Sequence, residues 1–113
     1  MHAEPKLFDH QFLYLTTTGR KTGLPREIEI WFVETGGRLY VLAEHFFRAQ
    51  WVQNILADSR VRVRIGDRHW KGTARALDER RDAALWKRVC ELERAKYGWG
   101  DGLPVEIEIE ADQ

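Results

Sequence analysis

The sequence has little of what marks an unusual environment. Its 113 residues hold one cysteine, Cys90, which excludes an internal disulfide and any cysteine-rich zinc site. No apolar run approaches the ~20 residues that cross a bilayer as a helix. The opening stretch, MHAEPKLFDHQ, lacks the apolar core of a secretory signal. Net charge is missing as well: 18 Lys and Arg balance 18 Asp and Glu, so no overall field gathers nucleic acid or anionic lipid. These absences lead us to expect a cytoplasmic protein with no membrane span and no nucleic-acid partner, organised as one domain over residues 1–113.

What is present is enough for a core. Hydrophobic residues make up 43% and charged residues 32%, a balance that excludes disorder. Five tryptophans are many for this length, and each either buries a large area or offers a flat platform to a ligand. A domain this small leaves little room for a deep private pocket, so a sizeable ligand calls for a second subunit.

Periodicity supplies the elements. Phe12–Thr18 reads as a strand, followed by a loop over Gly19–Pro25 with two glycines and a proline. Arg26–Glu34 alternates, with Ile28, Ile30 and Phe32 on one side and Glu27, Glu29 and Trp31 on the other. Gly36-Gly37 turns the chain into a strand over Arg38–Ala43. Arg48–Ala57 changes to a helical period with Trp51, Val52, Ile55 and Leu56 on one stripe. Arg60–Ile65 and His69–Leu77 form a further hairpin. Asp78 is the expected cap of a second helix lined by Leu85, Val89 and Leu92 that ends near Tyr97-Gly98, and Val105–Glu110 closes the chain as a strand. The order predicts a mainly β (α+β) fold: about six antiparallel strands closing into a small barrel, with two helices outside.

Charge is patterned on these strands. Arg60, Arg62 and Arg64 share one face of theirs; Glu106, Glu108 and Glu110 share one face of another, and Glu27 and Glu29 of a third. Because opposite charges across a sheet attract, the arginine strand is expected beside a glutamate strand. A phosphate-reading patch is the alternative.

The stretch richest in chemistry is Gly19-Arg20-Lys21-Thr22-Gly23-Leu24-Pro25-Arg26. Glycines let backbone N–H groups turn toward a ligand, Arg offers a planar fork, and Lys is a mobile charge. The loop suits a polyanionic tail, or is an ordinary basic solvated turn; no helix follows it, so it is not a P-loop. Elsewhere, Glu44-His45 lacks metal-ligand spacing, Cys90 lies mid-helix as a structural thiol, Trp70 and Trp86 are candidates for core or interface, and Trp99 either caps a cleft or packs. No catalytic residue and no metal ligand is assigned.

The run Leu13-Tyr-Leu-Thr-Thr-Thr-Gly-Arg-Lys-Thr-Gly-Leu-Pro-Arg26 resembles the opening of the deazaflavin-dependent nitroreductase, or quinone reductase, family. The likeness continues through Ile28–Phe32, the Gly-Gly-Arg hairpin, Trp51-Val-Gln-Asn54, Val61–Gly66 and Leu103-Pro-Val105. It implies a split β-barrel related to pyridoxamine phosphate oxidase-like proteins, homodimeric, binding coenzyme F420 and passing its hydride to a small quinone or nitro acceptor. It places Arg20, Lys21 and Arg26, with Thr22 between them, on the coenzyme's anionic tail. It places Trp31, Leu42, Gln50, Trp51 and Asn54 around the coenzyme as well. One segment departs from the family pattern: Ala43–Ala49 carries Phe46 and Phe47 where a small-residue loop is expected at the ring-binding edge. The alternatives are FMN in place of F420, or a split-barrel protein that binds a ligand without catalysis.

Overall fold

A computed structural model describes residues 7–110. Its seven strands are β1 (Leu13–Thr18), β2 (Pro25–Ile30), β3 (Val33–Thr35), β4 (Arg38–Ala43), β5 (Arg60–Ile65), β6 (Arg68–Ala76) and β7 (Leu103–Ile109). The helices are α1 (Gln50–Ala57) and α2 (Ala83–Tyr97). The strands form one sheet in the order β2-β1-β5-β6-β7-β4-β3, and every pairing is antiparallel. The edge strands β2 and β3 are separated only by Trp31 and Phe32. The two edges must therefore meet, and the sheet curls into a split barrel around a main core, with a second apolar cluster of Val33, Tyr40, Leu42 and Val89 between sheet and α2. Leu13, Leu15, Val63, Val105 and Ile107 fill its interior.

The expected single strand over Arg26–Glu34 is thus two strands, and the count is seven rather than six. The alternation of β2 carries Phe32 fully into the core. The chain then changes partner, β2 pairing with β1 and β3 with β4. At that break the backbone of Phe32 leaves the sheet ladder, and α2 satisfies it. The Phe32 N–H donates to Tyr97 Oη at 3.0 Å, and Lys96 Nζ donates to the Phe32 carbonyl at 3.0 Å. Period-two patterning cannot register a bend that preserves parity while its hydrogen bonds pass to a helix 64 residues away.

Three smaller expectations are corrected. The arginine strand β5 lies between β1 and β6, not beside a glutamate strand. Tyr14 of β1 intervenes, with Glu29 opposite it on one side and Arg64 on the other. The Arg64 guanidinium sits 3.9 Å from the Tyr14 ring centroid, while its distance to Glu27 is also 3.9 Å. The glutamates of β7 are instead paired by Arg75 and Arg38. Asp78 caps the turn before α2, accepting from the N–H groups of Arg80 and Arg81, and the N-cap of α2 is Asp82. In α1, Val52 and Ile55 are buried, but Leu56 is 56% exposed and Asn54 takes its place inside.

Candidate functional site

The basic bend between β1 and β2 is a built structure. The Gly19 N–H donates to the Leu24 carbonyl at 2.8 Å and the Gly23 N–H to the Gly19 carbonyl at 2.7 Å. Gly23 adopts φ +73°, a left-handed conformation that strains any residue with a Cβ. At Gly19 a Cβ would stand 2.9 Å from Thr22 Oγ1, so the bend admits glycine there as well.

α1 locks this bend in place. Asn54 is 4% exposed; its Oδ1 accepts from the Arg20 backbone N–H (3.2 Å) and from Arg20 Nη1 (3.0 Å), while its Nδ2 donates to Thr17 Oγ1 (3.2 Å). Gln50 Oε1 accepts from Arg20 Nη2 at 2.8 Å. Both partners of the Arg20 guanidinium are neutral amides. Among the described residues no carboxylate pairs with Arg20, Lys21 or Arg26. The bend therefore combines a fixed geometry with uncompensated positive charge, the condition for holding an anion. A cavity of about 390 Å³ opens against it, lined by Arg20, Lys21, Thr22, Arg26, Ile28, Gln50, Trp51 and Asn54.

A second cavity, of about 580 Å³, is lined by Ile28, Ile30, Trp31, Leu42, Trp51 and Trp99, with Glu29, Glu44, His45, Ala49 and Glu93. Ile28 and Trp51 belong to both walls, so the two spaces adjoin. Trp31 is 43% exposed. It is held flat by Tyr97, with ring centroids 4.6 Å apart and planes 3° from parallel. Burial pushes the Tyr97 hydroxyl up to about 12. That hydroxyl stays protonated at neutral pH and lies within 2.8 Å of the Phe32 and Gln11 carbonyls. Phe46 and Phe47 do not line this cavity. Both are exposed on the turn over Phe46–Arg48, so the bulky segment leaves the space open.

All nine candidate residues thus lie around these two adjoining spaces. Seven of them, Arg20, Lys21, Thr22, Arg26, Gln50, Trp51 and Asn54, surround the basic one, while Trp31, Leu42 and Trp51 border the aromatic one. The residue that sequence reasoning missed is Glu93. It is 1% exposed, and burial raises its carboxyl to about 7 against the pull of nearby Lys96. The signal was available: Leu85, Val89, Glu93 and Tyr97 recur every four residues along α2. Elsewhere, Cys90 is partly buried and burial raises its thiol, and Trp70 and Trp86 pack in or against the core. Among the described residues no group of three His, Cys, Asp or Glu side chains could hold a metal, and no helix is long and apolar enough to cross a membrane.

Fold and site define the class first: a small split-barrel protein with a basic bend beside an aromatic cavity. The chain superposes on the haem storage protein HutZ from Vibrio cholerae with a TM-score of 0.78 at 19% identity, covering 99% of this chain and 93% of that one. A putative pyridoxamine 5'-phosphate oxidase from Listeria innocua gives a TM-score of 0.71 at 19% identity, over 93% and 88% of the two chains. An F420-H2 dependent reductase is 27% identical with a TM-score of 0.64, over 97% of this chain and 99% of that one. Residues 4–110 match the F420H(2)-dependent quinone reductase family, and the chain belongs to that family. F420 is the coenzyme that goes with this membership.

Proposed function

We propose that this protein is an F420H2-dependent reductase acting on a small planar quinone or nitro compound. The observation that carries the reading is the junction of the two spaces at Ile28 and Trp51. A coenzyme with a flat ring and an anionic tail needs an apolar slot and a cationic cradle in that relation. The reduced coenzyme supplies a hydride when bound. The chain's own residues do the rest. Arg20, Lys21 and Arg26 hold the tail; Gln50 and Asn54 keep Arg20 in place; Trp31, Leu42 and Trp51 border the ring and the acceptor and keep water from the reacting faces. Three cations, Arg20, Lys21 and Arg26, around one space suit a tail with several negative charges better than the single phosphate of FMN.

A domain of this size leaves little room for ring and acceptor together, which supports a homodimer whose second subunit completes the site. A structure described as a domain-swapped dimer, 27% identical over 88% of this chain, supports assembly into two subunits. A lone cysteine with no disulfide to maintain suits the cytoplasm. The test is anaerobic mixing of F420H2 with menadione and the purified protein. The expected result is oxidation of F420H2 coupled one-to-one to menadione; binding of F420 without any turnover would leave only a binding protein.

A further inference from the structure

Glu93 is an anomaly inside the aromatic cavity. It projects from the buried side of α2 and lines the same wall as Trp31, Leu42 and Trp99. Its Oε1 is sealed from solvent and has no hydrogen-bond partner among the described residues. A buried polar atom left so is costly to the fold unless something else makes use of it. Lys96, whose charge acts on this carboxyl, gives it no hydrogen bond. Lys96 Nζ directs its donors at three backbone carbonyls, those of His10 (2.9 Å), Phe32 (3.0 Å) and Phe8 (3.3 Å). Burial raises the proton affinity of a carboxyl so placed, so a proton is available on it near neutral pH.

We propose that Glu93 donates the proton that accompanies hydride transfer to the acceptor. This rests on the reductase reading above. Reduction of a quinone to a hydroquinone takes two electrons and two hydrogens. The hydride brings both electrons and forms one O–H bond as a C–H bond of the reduced coenzyme breaks. The second quinone oxygen, left anionic, takes the proton from Glu93, whose O–H bond breaks. Water then reprotonates the carboxylate, and the coenzyme's ring N–H proton passes to water, so the sum is one reduced coenzyme and one quinone giving one oxidised coenzyme and one hydroquinone. Burial raises the proton affinity of Glu93 and Lys96 lowers it; the other titratable groups around it are Tyr97 and Cys90 on its own helix and Glu29, Glu44 and His45 of the same cavity.

The experiment compares wild type, Glu93→Gln, Glu93→Asp and His45→Gln across pH with F420H2 and menadione. Infrared spectra of the coenzyme-free protein are recorded alongside. Wild-type kcat should fall above the carboxyl's titration at about 7. Glu93→Gln should lose about 10²-fold or more in kcat, as a missing general acid does, and should lose the pH break while F420 affinity holds. Glu93→Asp should restore part of the rate, and His45→Gln should keep the break. A protonated-carboxyl band in wild type, absent in Glu93→Gln, should shift when menadione is added without coenzyme. Wild-type rate and pH profile in Glu93→Gln would overturn the assignment and leave the reductase reading intact. A protein that neither binds nor oxidises F420H2 would overturn the reductase reading, and with it this role. If Glu93→Gln does not fold, a wild-type carboxyl band indifferent to menadione overturns the proposal.

Discussion

The two ends of the groove solve opposite problems. At the basic bend the functional groups are exposed, and the fold spends its hydrogen bonds on fixing them: Asn54 and Gln50 grip Arg20 with neutral oxygens and leave its charge intact. At the aromatic cavity the walls mix aromatic and aliphatic side chains with Glu29, Glu44 and His45, and the buried carboxyl of α2, Glu93, has no hydrogen-bond partner for its Oε1 among the described residues. The first end is arranged for affinity, because a fixed cation gains most from an anion when no carboxylate competes. The second is arranged for chemistry, because burial raises the carboxyl's proton affinity and so keeps a proton available near neutral pH for a developing anion.

Substitutions separate the ends. Arg20→Ala with Lys21→Ala should weaken F420 binding about a hundredfold or more, since charge-assisted bonds contribute about 1.5–3 kcal/mol each. It should leave binding of the same chromophore without phosphate and glutamates unchanged. Fluorescence titration reads both, and equal losses for the two ligands would erase the division.

Glu93→Gln sharpens the other end through stability. The folded carboxyl titrates at about 7 against an ordinary 4.5. Between those values the folded state binds more protons than the unfolded one, so wild-type stability falls as pH rises from about 4.5 to 7 and levels off above. Glu93→Gln should abolish that slope and stabilise the protein at pH 8 by up to about 3 kcal/mol, with little difference at pH 4. Denaturant melts at both pH values check the sign; a variant less stable at pH 8 would mean that the carboxylate is well solvated.

Asn54→Ala removes the clamp between the ends. It strands Thr17 Oγ1 and the Arg20 N–H, which should cost about 1–3 kcal/mol of stability. F420 affinity should fall by about tenfold as Arg20 loses its fixed position. Phe47→Ala, on the exposed turn outside the cavity, should change stability by less than about 0.5 kcal/mol and leave F420 affinity alone; a large loss of affinity there would mean that the aromatic end extends over the turn.

Much of this was legible in the sequence, and the remainder was not for identifiable reasons. The strands, both helices and the basic bend follow from alternation, glycine placement and charge, which are local. The change of partner at Trp31-Phe32 was not legible, because what permits it is hydrogen bonding from Tyr97 and Lys96. The Arg64–Tyr14–Glu29 arrangement was misread because strand order, unlike strand identity, depends on how the sheet closes. Phe46 and Phe47 looked obstructive because bulk is visible in a sequence and direction is not. Glu93 was passed over because a glutamate on an amphipathic helix normally faces water. Its spacing from Val89 places it inward, and only the surrounding packing shows that its Oε1 has no hydrogen-bond partner among the described residues.

The division between the ends is tested most directly by titrating wild-type protein with F420 and with its tail-less chromophore at low and high salt. If the basic bend grips the tail, F420 binds far more tightly at low salt, and the gap shrinks steeply as salt screens the exposed cations. Equal affinities for the two ligands at both salt concentrations would contradict it.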